Sequence, residues 1–259
     1  KTGSLLHDML CMLGKDILSG AVDLHEFDEA ASVEWTRRAF DALEQEETGY
    51  YAWLGSTASG RAIRERLTDN VAAATRNMAR SLNQSGFSLN TVEGELPPMT
   101  LERDKKTISL VGRVDRVDVA HLDGFDAARV IDYKSSQKDA SIDQIYYARR
   151  LQLAAYLLAV CENPKQFGCD AITPGGMLYF TIGDRALTDE DQALMNGVIN
   201  IRDEIVAAMD TMPATKRKSL LVKNLGAKAN GRLQETQMRL LLEYVKDKMT
   251  RIAFDAAQG

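Results

Sequence analysis

Cysteine is scarce: Cys11, Cys161 and Cys169 are the only three in 259 residues, an odd number with no CxxC spacing. That excludes a disulfide scaffold and a complete metal knuckle, and leaves buried or surface thiols. Long apolar runs are missing too. The longest, Leu151 to Cys161, is broken by Gln152 and falls short of the roughly 18 to 20 residues that span a bilayer, so no membrane role is expected. No Walker A sequence occurs, which removes the phosphate-binding loop of P-loop ATPases. Internal repeats and low-complexity tracts are absent as well. Positive charge is not in excess either, the net charge being −5. Its distribution is uneven, however. Between Pro213 and Gln234 stand Lys216, Arg217, Lys218, Lys223, Lys228 and Arg232 and no acid. Such a strip is either a solvated loop or a phosphate-binding surface that works against an acidic total.

What is present is ordinary for a globular chain: 45% hydrophobic and 27% charged residues, with length enough for one large domain or two small ones. The chain opens on lysine, and Gly3 to Leu13 patterns as an amphipathic helix rather than a secretory leader. The expectation is a segment of a longer, cytoplasmic protein. Helical periodicity runs through Ser4 to Leu18, Glu26 to Glu47 and Ser59 to Leu82, with breaks at Gly55-Ser56-Thr57 and Ser85-Gly86. Trp35 and Trp53 there read as core or interhelical anchors. Beyond Gly86 the period shortens. Phe87 to Leu96, Thr107 to Val111, Val114 to Val119 and Ala128 to Lys134 read as strands of an antiparallel meander, bounded by Pro97-Pro98, Arg103 to Lys106 and Asp123-Gly124. A core helix from Gln144 to Cys161, a strand from Gly175 to Ile182, and helices over Asp189 to Asp210 and Gln234 to Ala257 complete the order.

The hairpin about Asp123-Gly124 carries the chemistry. Asp-Gly between alternating apolar runs is the strongest short-range hairpin signal. Symmetric pairing about it sets Asp115 directly opposite Asp132, with Cβ atoms about 4.5 to 5.5 Å apart, where like charges repel. Something positive belongs between them. Lys134 projects from the same face of its strand as Asp132 because side chains alternate with a period of two. Two acids and a lysine on one sheet edge point to a metal-dependent hydrolase. Asp118, at odd offset from Asp115, faces away, either in solvent or paired with Arg116.

In order, GSLLH (Gly3 to His7), GRVDRVD (Gly112 to Asp118), VIDYKSS (Val130 to Ser136) and LQLAAYLLAV (Leu151 to Val160) resemble the PD-(D/E)XK nucleases of the RecB branch, most closely the C-terminal nuclease domain of AddB/RexB-type helicase-nuclease subunits. A D-x-K triplet alone is weak, but four ordered elements are strong. The resemblance implies an α/β fold of restriction-endonuclease-like type, a mixed sheet flanked by helices with an added N-terminal helical region. The chain then reads as one nuclease domain, 1–259: helical to 86, catalytic sheet and core helix over 87–184, closing helices with a basic connector over 185–259.

The implied activity is exonucleolytic hydrolysis of DNA, single-stranded at the active site, within a helicase-nuclease that processes double-strand ends for recombinational repair with a partner subunit. Asp115, Asp132 and Lys134 are the implied catalytic residues. His7, Asp115, Asp132 and the carbonyl of Tyr133 would hold Mg²⁺ or Mn²⁺, oxygen ligands suiting the first and the imidazole favouring the second. Gln152 and Tyr156, four apart on one helix face, would meet the DNA strand together with Lys216, Arg217 and Lys218. The branch often carries an iron–sulfur cluster held by cysteines that flank the domain in the full-length parent; Cys11, Cys161 and Cys169 do not fit those places. Two rival readings stay open: a catalytically silent nuclease-like scaffold that holds DNA or a partner subunit, and a Cas4-like stand-alone exonuclease.

Overall fold

The computed structural model describes residues 2–45, 50–134, 141–182, 193–212, 219, 221–225 and 230–258. They form two compact units, one from the described residues of Lys1–Asn83 with Ile182, the other from those of Gln84–Thr181 and Asp191–Gly259. No helix among them is long and apolar enough to cross a membrane.

The first unit contains helices α1 (Thr2–Ser19), α2 (Glu29–Glu44), α3 (Tyr50–Ser56) and α4 (Ala58–Asn83). Leu5, Leu6, Met9, Leu10 and Leu13 of α1 are buried, as their spacing of three and four predicts. Asp28 caps α2 by accepting from the Ala31 N–H at 2.8 Å. Trp35 is buried and donates its indole N–H to Asp16 at 2.7 Å, so it is the interhelical anchor expected; Trp53 is 37% exposed and is not a core residue.

The second unit is built on a six-stranded sheet in the order β1 (Ser88–Arg103), β2 (Lys106–Leu122), β3 (Phe125–Lys134), β4 (Ile172–Thr181), β5 (Met195–Asn200) and β6 (Arg232–Leu233). β1, β2 and β3 are an antiparallel meander, β3 and β4 are parallel, β4 and β5 antiparallel, β5 and β6 parallel. The parallel step needs a crossover, supplied by α5 (Ile142–Tyr146) and α6 (Gln152–Glu162); α7 (Asp203–Met209) and α8 (Glu235–Gln258) follow. Leu153, Leu157, Leu158 and Val160 of α6 are buried in one core with Val117 and Val130 of the sheet and Leu242 and Val245 of α8. Fully burying each such side chain contributes about 1.5–3 kcal/mol. The fold is therefore the α/β arrangement expected, a mixed sheet flanked by helices.

Four boundaries differ from the sequence reading, each for a local reason. Pro97-Pro98 does not end β1; the pair sits opposite Val111 in a bulge between the Leu96–Gly112 and Met99–Leu110 partners, where no ladder N–H is required. The helix expected over Gln144 to Cys161 is two helices, parted by a turn in which Ala148 has φ +55. Tyr50–Ser56 is a helix of its own. Of the helix expected over Asp189 to Asp210, the first four residues lie outside the described ones, Met195–Asn200 is the strand β5, which is buried on both faces and shows no period, and only Asp203–Met209 is helical.

Gly197 makes β5 fit: a Cβ there would stand 2.1 Å from the Met177 carbonyl oxygen and 2.9 Å from the Leu178 Cα. Backbone cannot swing aside as a side chain can. Gly197→Ala is expected to destabilise the fold by about 1–3 kcal/mol, measurable by urea denaturation.

One buried patch of the sheet is ionic. Asp118, paired across the ladder with Arg129, accepts from Arg116 Nε and Nη2 at 2.6 and 2.7 Å and from Arg129 Nε at 2.9 Å. All three residues are fully buried. Burial opposes the charge of Arg116, yet Asp118 and Tyr133 outweigh it and its pKa rises; for Arg129 burial prevails and the pKa falls. Asp118 is thus paired with Arg116 as one alternative had it, and is not in solvent.

Candidate active site

The hairpin register is the symmetric one, running from Leu122–Phe125 to Arg116–Ile131. Gly124 at its tip has φ +81, a conformation open to glycine without steric cost. The ladder ends one step before Asp115 and Asp132. There Asp115 accepts the Tyr133 backbone N–H through its own Oδ2 at 2.8 Å. The carboxylate replaces the ladder bond and is held between the two strand ends.

Asp132 is 3% exposed and lies beside Tyr179 of β4 in the register. Lys134, half-buried at the end of β3, forms an ion pair with Asp132. Its Nζ lies 5.8 Å from the centroid of the Tyr179 ring, and the Arg150 guanidinium lies 6.0 Å from the same ring. Burial first, then the Asp132 carboxylate, push the Tyr179 pKa up and keep its hydroxyl a donor. Tyr133 turns its side chain into the interior, edge-on to Phe180 at 5.8 Å and bonded to Arg116. The ionic patch thereby braces the segment that carries Asp132 and Lys134.

A third carboxylate was missed in the sequence. Glu93 lies on β1 between Val92 and Gly94, whose partners Arg116 and Val114 flank Asp115. It has φ +46, is largely buried, and its carboxylate lies within 4.8 Å of that of Asp115. Arg113 binds the Glu93 carboxylate at 2.7 Å and its carbonyl at 3.0 Å. The β1–β2 register, which the sequence does not disclose, sets this glutamate across the ladder from Asp115. Arg150 and Tyr179 were missed likewise, because the crossover and the parallel β3–β4 pairing bring them in.

On α6, Gln152 donates to the Tyr156 hydroxyl at 2.9 Å, so the two share a face as their spacing implied. A Cβ at position 112 would stand 2.9 Å from the Tyr156 ring, so Gly112 lets the ring lie against β2. His7 is half-buried on α1 of the helical unit. Lys216, Arg217 and Lys218 lie outside the described residues.

The Glu93 and Asp115 carboxylates, within 4.8 Å of each other, suit a hard divalent cation, which takes oxygen ligands and relieves their mutual repulsion, while Asp132 is paired with Lys134 on the neighbouring strand. The donor set fits Mg²⁺ or Mn²⁺.

A model of the PD-(D/E)XK nuclease superfamily matches residues 1–259. The chain belongs to that superfamily. Its D-x-K element is Asp132-Tyr133-Lys134. Among curated relatives, the chain is 28% identical to the B subunit of the ATP-dependent helicase/deoxyribonuclease from Clostridium novyi (strain NT), over 99% of this chain and 24% of the relative. It is 29% identical to the protein of that name from Ruminiclostridium cellulolyticum, over 86% and 19%, and 28% identical to that from Exiguobacterium sibiricum, over 95% and 24%. The nuclease chain thus spans at most about a quarter of the length of these relatives.

Proposed function

We propose that this chain is the divalent-metal-dependent deoxyribonuclease domain of a cytoplasmic helicase-nuclease that processes double-strand breaks for recombinational repair, and that it cuts single-stranded DNA exonucleolytically. The observation that carries the reading is the Asp115, Asp132 and Lys134 arrangement, with Asp115 fixed by the Tyr133 N–H. The names of the relatives support the DNA substrate and a partner subunit.

Asp115 and Asp132, with the Tyr133 carbonyl, His7 and Glu93, would hold Mg²⁺ or Mn²⁺. When bound, such an ion polarises a phosphoryl oxygen and supplies an activated water. Lys134 stabilises the charge that develops on the phosphate, a fixed cation that needs no reorganisation. Its pairing with Asp132 sets the position of the ammonium before substrate arrives. Tyr156 and Gln152 meet the strand from α6, and Lys216, Arg217 and Lys218 contact its backbone.

Digestion of a labelled single-stranded oligonucleotide in Mg²⁺, in Mn²⁺ and in chelator tests this. Cleavage with either ion and none in chelator is expected. Cleavage that survives chelation removes the metal from the mechanism, and silence in both ions favours a scaffold. His7→Ala is expected to raise the Mn²⁺ concentration for half-maximal cleavage more than the Mg²⁺ concentration, because imidazole favours the softer ion.

A further inference from the structure

The turn between α5 and α6 leaves two large aromatic side chains in solvent: Tyr146 is 55% and Tyr147 66% exposed. They meet edge-on at 5.3 Å. Behind them Tyr244 stacks on Tyr146 at 5.3 Å with the rings within 10° of parallel, and its hydroxyl donates to the Tyr146 carbonyl at 2.8 Å. Packing against Tyr244 accounts for Tyr146 but not for Tyr147, whose ring lies furthest into solvent.

The turn is held firmly. The N–H groups of Tyr147, Ala148, Arg149 and Arg150 donate back to the carbonyls of Asp143, Ile145, Gln144 and Gln144 at 2.8–3.1 Å. Ala148 is kept at φ +55, a conformation that costs a residue with a Cβ. Strain of that kind persists where the surroundings enforce it, and it clusters at functional sites. Here it sets the Arg149 guanidinium 5.9 Å from the Tyr147 ring. The next residue, Arg150, lies over Tyr179, the ring that also faces Lys134. The turn thus carries one arginine beside the exposed Tyr147 and the next over the ring that neighbours the D-x-K element.

We propose that Tyr147, backed by Tyr146 and flanked by Arg149, is a stacking platform for an unpaired base of the DNA strand entering the active site, with Arg149 and Arg150 on the intervening phosphates. The proposal rests on the nuclease reading and names the form of its substrate. Within a duplex both faces of each internal base are covered by its neighbours, whereas an unpaired strand can offer a π-face to a tyrosine along its length. Stacking of this kind is indifferent to base identity, and cationic neighbours hold the backbone.

Binding of a fluorescein-labelled oligothymidylate, followed by anisotropy in chelator, tests the platform without turnover. Tyr147→Ala is expected to weaken binding by about 5- to 150-fold, the range of one base stack, and Tyr147→Phe to restore it, since the ring and not the hydroxyl acts. Affinity for a covalently closed circular duplex, which has no open base face, should be unchanged by Tyr147→Ala, and in cleavage the loss should fall on KM. Equal single-strand affinity of Tyr147→Ala and the unaltered chain overturns the proposal, as does an equal loss for duplex. Absence of cleavage by the unaltered chain overturns the nuclease reading separately, while Tyr147-dependent binding still supports the platform.

Discussion

Replacing Lys134 with alanine is expected to lower the rate of DNA cleavage by about 10²- to 10³-fold, the usual cost of removing one preorganised charge-stabilising group. The ammonium is half-buried, pinned by Asp132 and set over the Tyr179 ring, so its position does not depend on substrate. Stability should fall as well, because Asp132 is 3% exposed and loses the cation paired with it. Lys134→Arg should recover little, since a planar fork does not reproduce a compact point charge. Initial rates on a labelled single strand, with melting curves of the same samples, separate the two effects. Equal rates for Lys134→Ala and the unaltered chain would remove the lysine from the mechanism.

Asp118→Ala is expected to be the most damaging substitution to the fold, at about 3–5 kcal/mol, because it leaves Arg116 and Arg129 charged, fully buried and without their shared carboxylate. At roughly 2–4 °C per kcal/mol for a unit of this size, the melting temperature should fall by roughly 6–20 °C. Removing all three charges together is a different experiment. Arg116→Met with Asp118→Leu and Arg129→Met should restore much of the loss, since apolar residues of similar volume often replace a buried ion cluster at no cost. Urea denaturation measures both. A loss under about 1 kcal/mol for Asp118→Ala would mean that water or a shifted backbone compensates the arginines.

The hairpin and its register were legible because Asp123-Gly124 is a turn signal whose mechanism is local, and Arg116–Ile131 pairs as symmetry requires. What symmetry did not disclose is that the ladder gives way one step later, where Asp115 takes the Tyr133 N–H through its side chain. Glu93 was illegible because the β1–β2 register that sets it across from Asp115 depends on two bulges that the sequence does not announce. The turn at Tyr147 to Leu151 was hidden because it contains neither glycine nor proline, and backbone hydrogen bonds to Asp143, Gln144 and Ile145 hold Ala148 where its propensity would not. β5 was lost to helix because a strand buried on both faces has no alternation to read. Gln152 and Tyr156 needed only helical spacing, and their shared hydrogen bond follows from it.

Titration of Mn²⁺ into the folded chain, followed through the resonance of the free ion, tests the central claim most directly. The account predicts a bound ion in the unaltered chain and its loss in the Asp115→Asn, Asp132→Asn double variant, with both proteins folded. Retention of that ion by the double variant, at unchanged affinity, would contradict it.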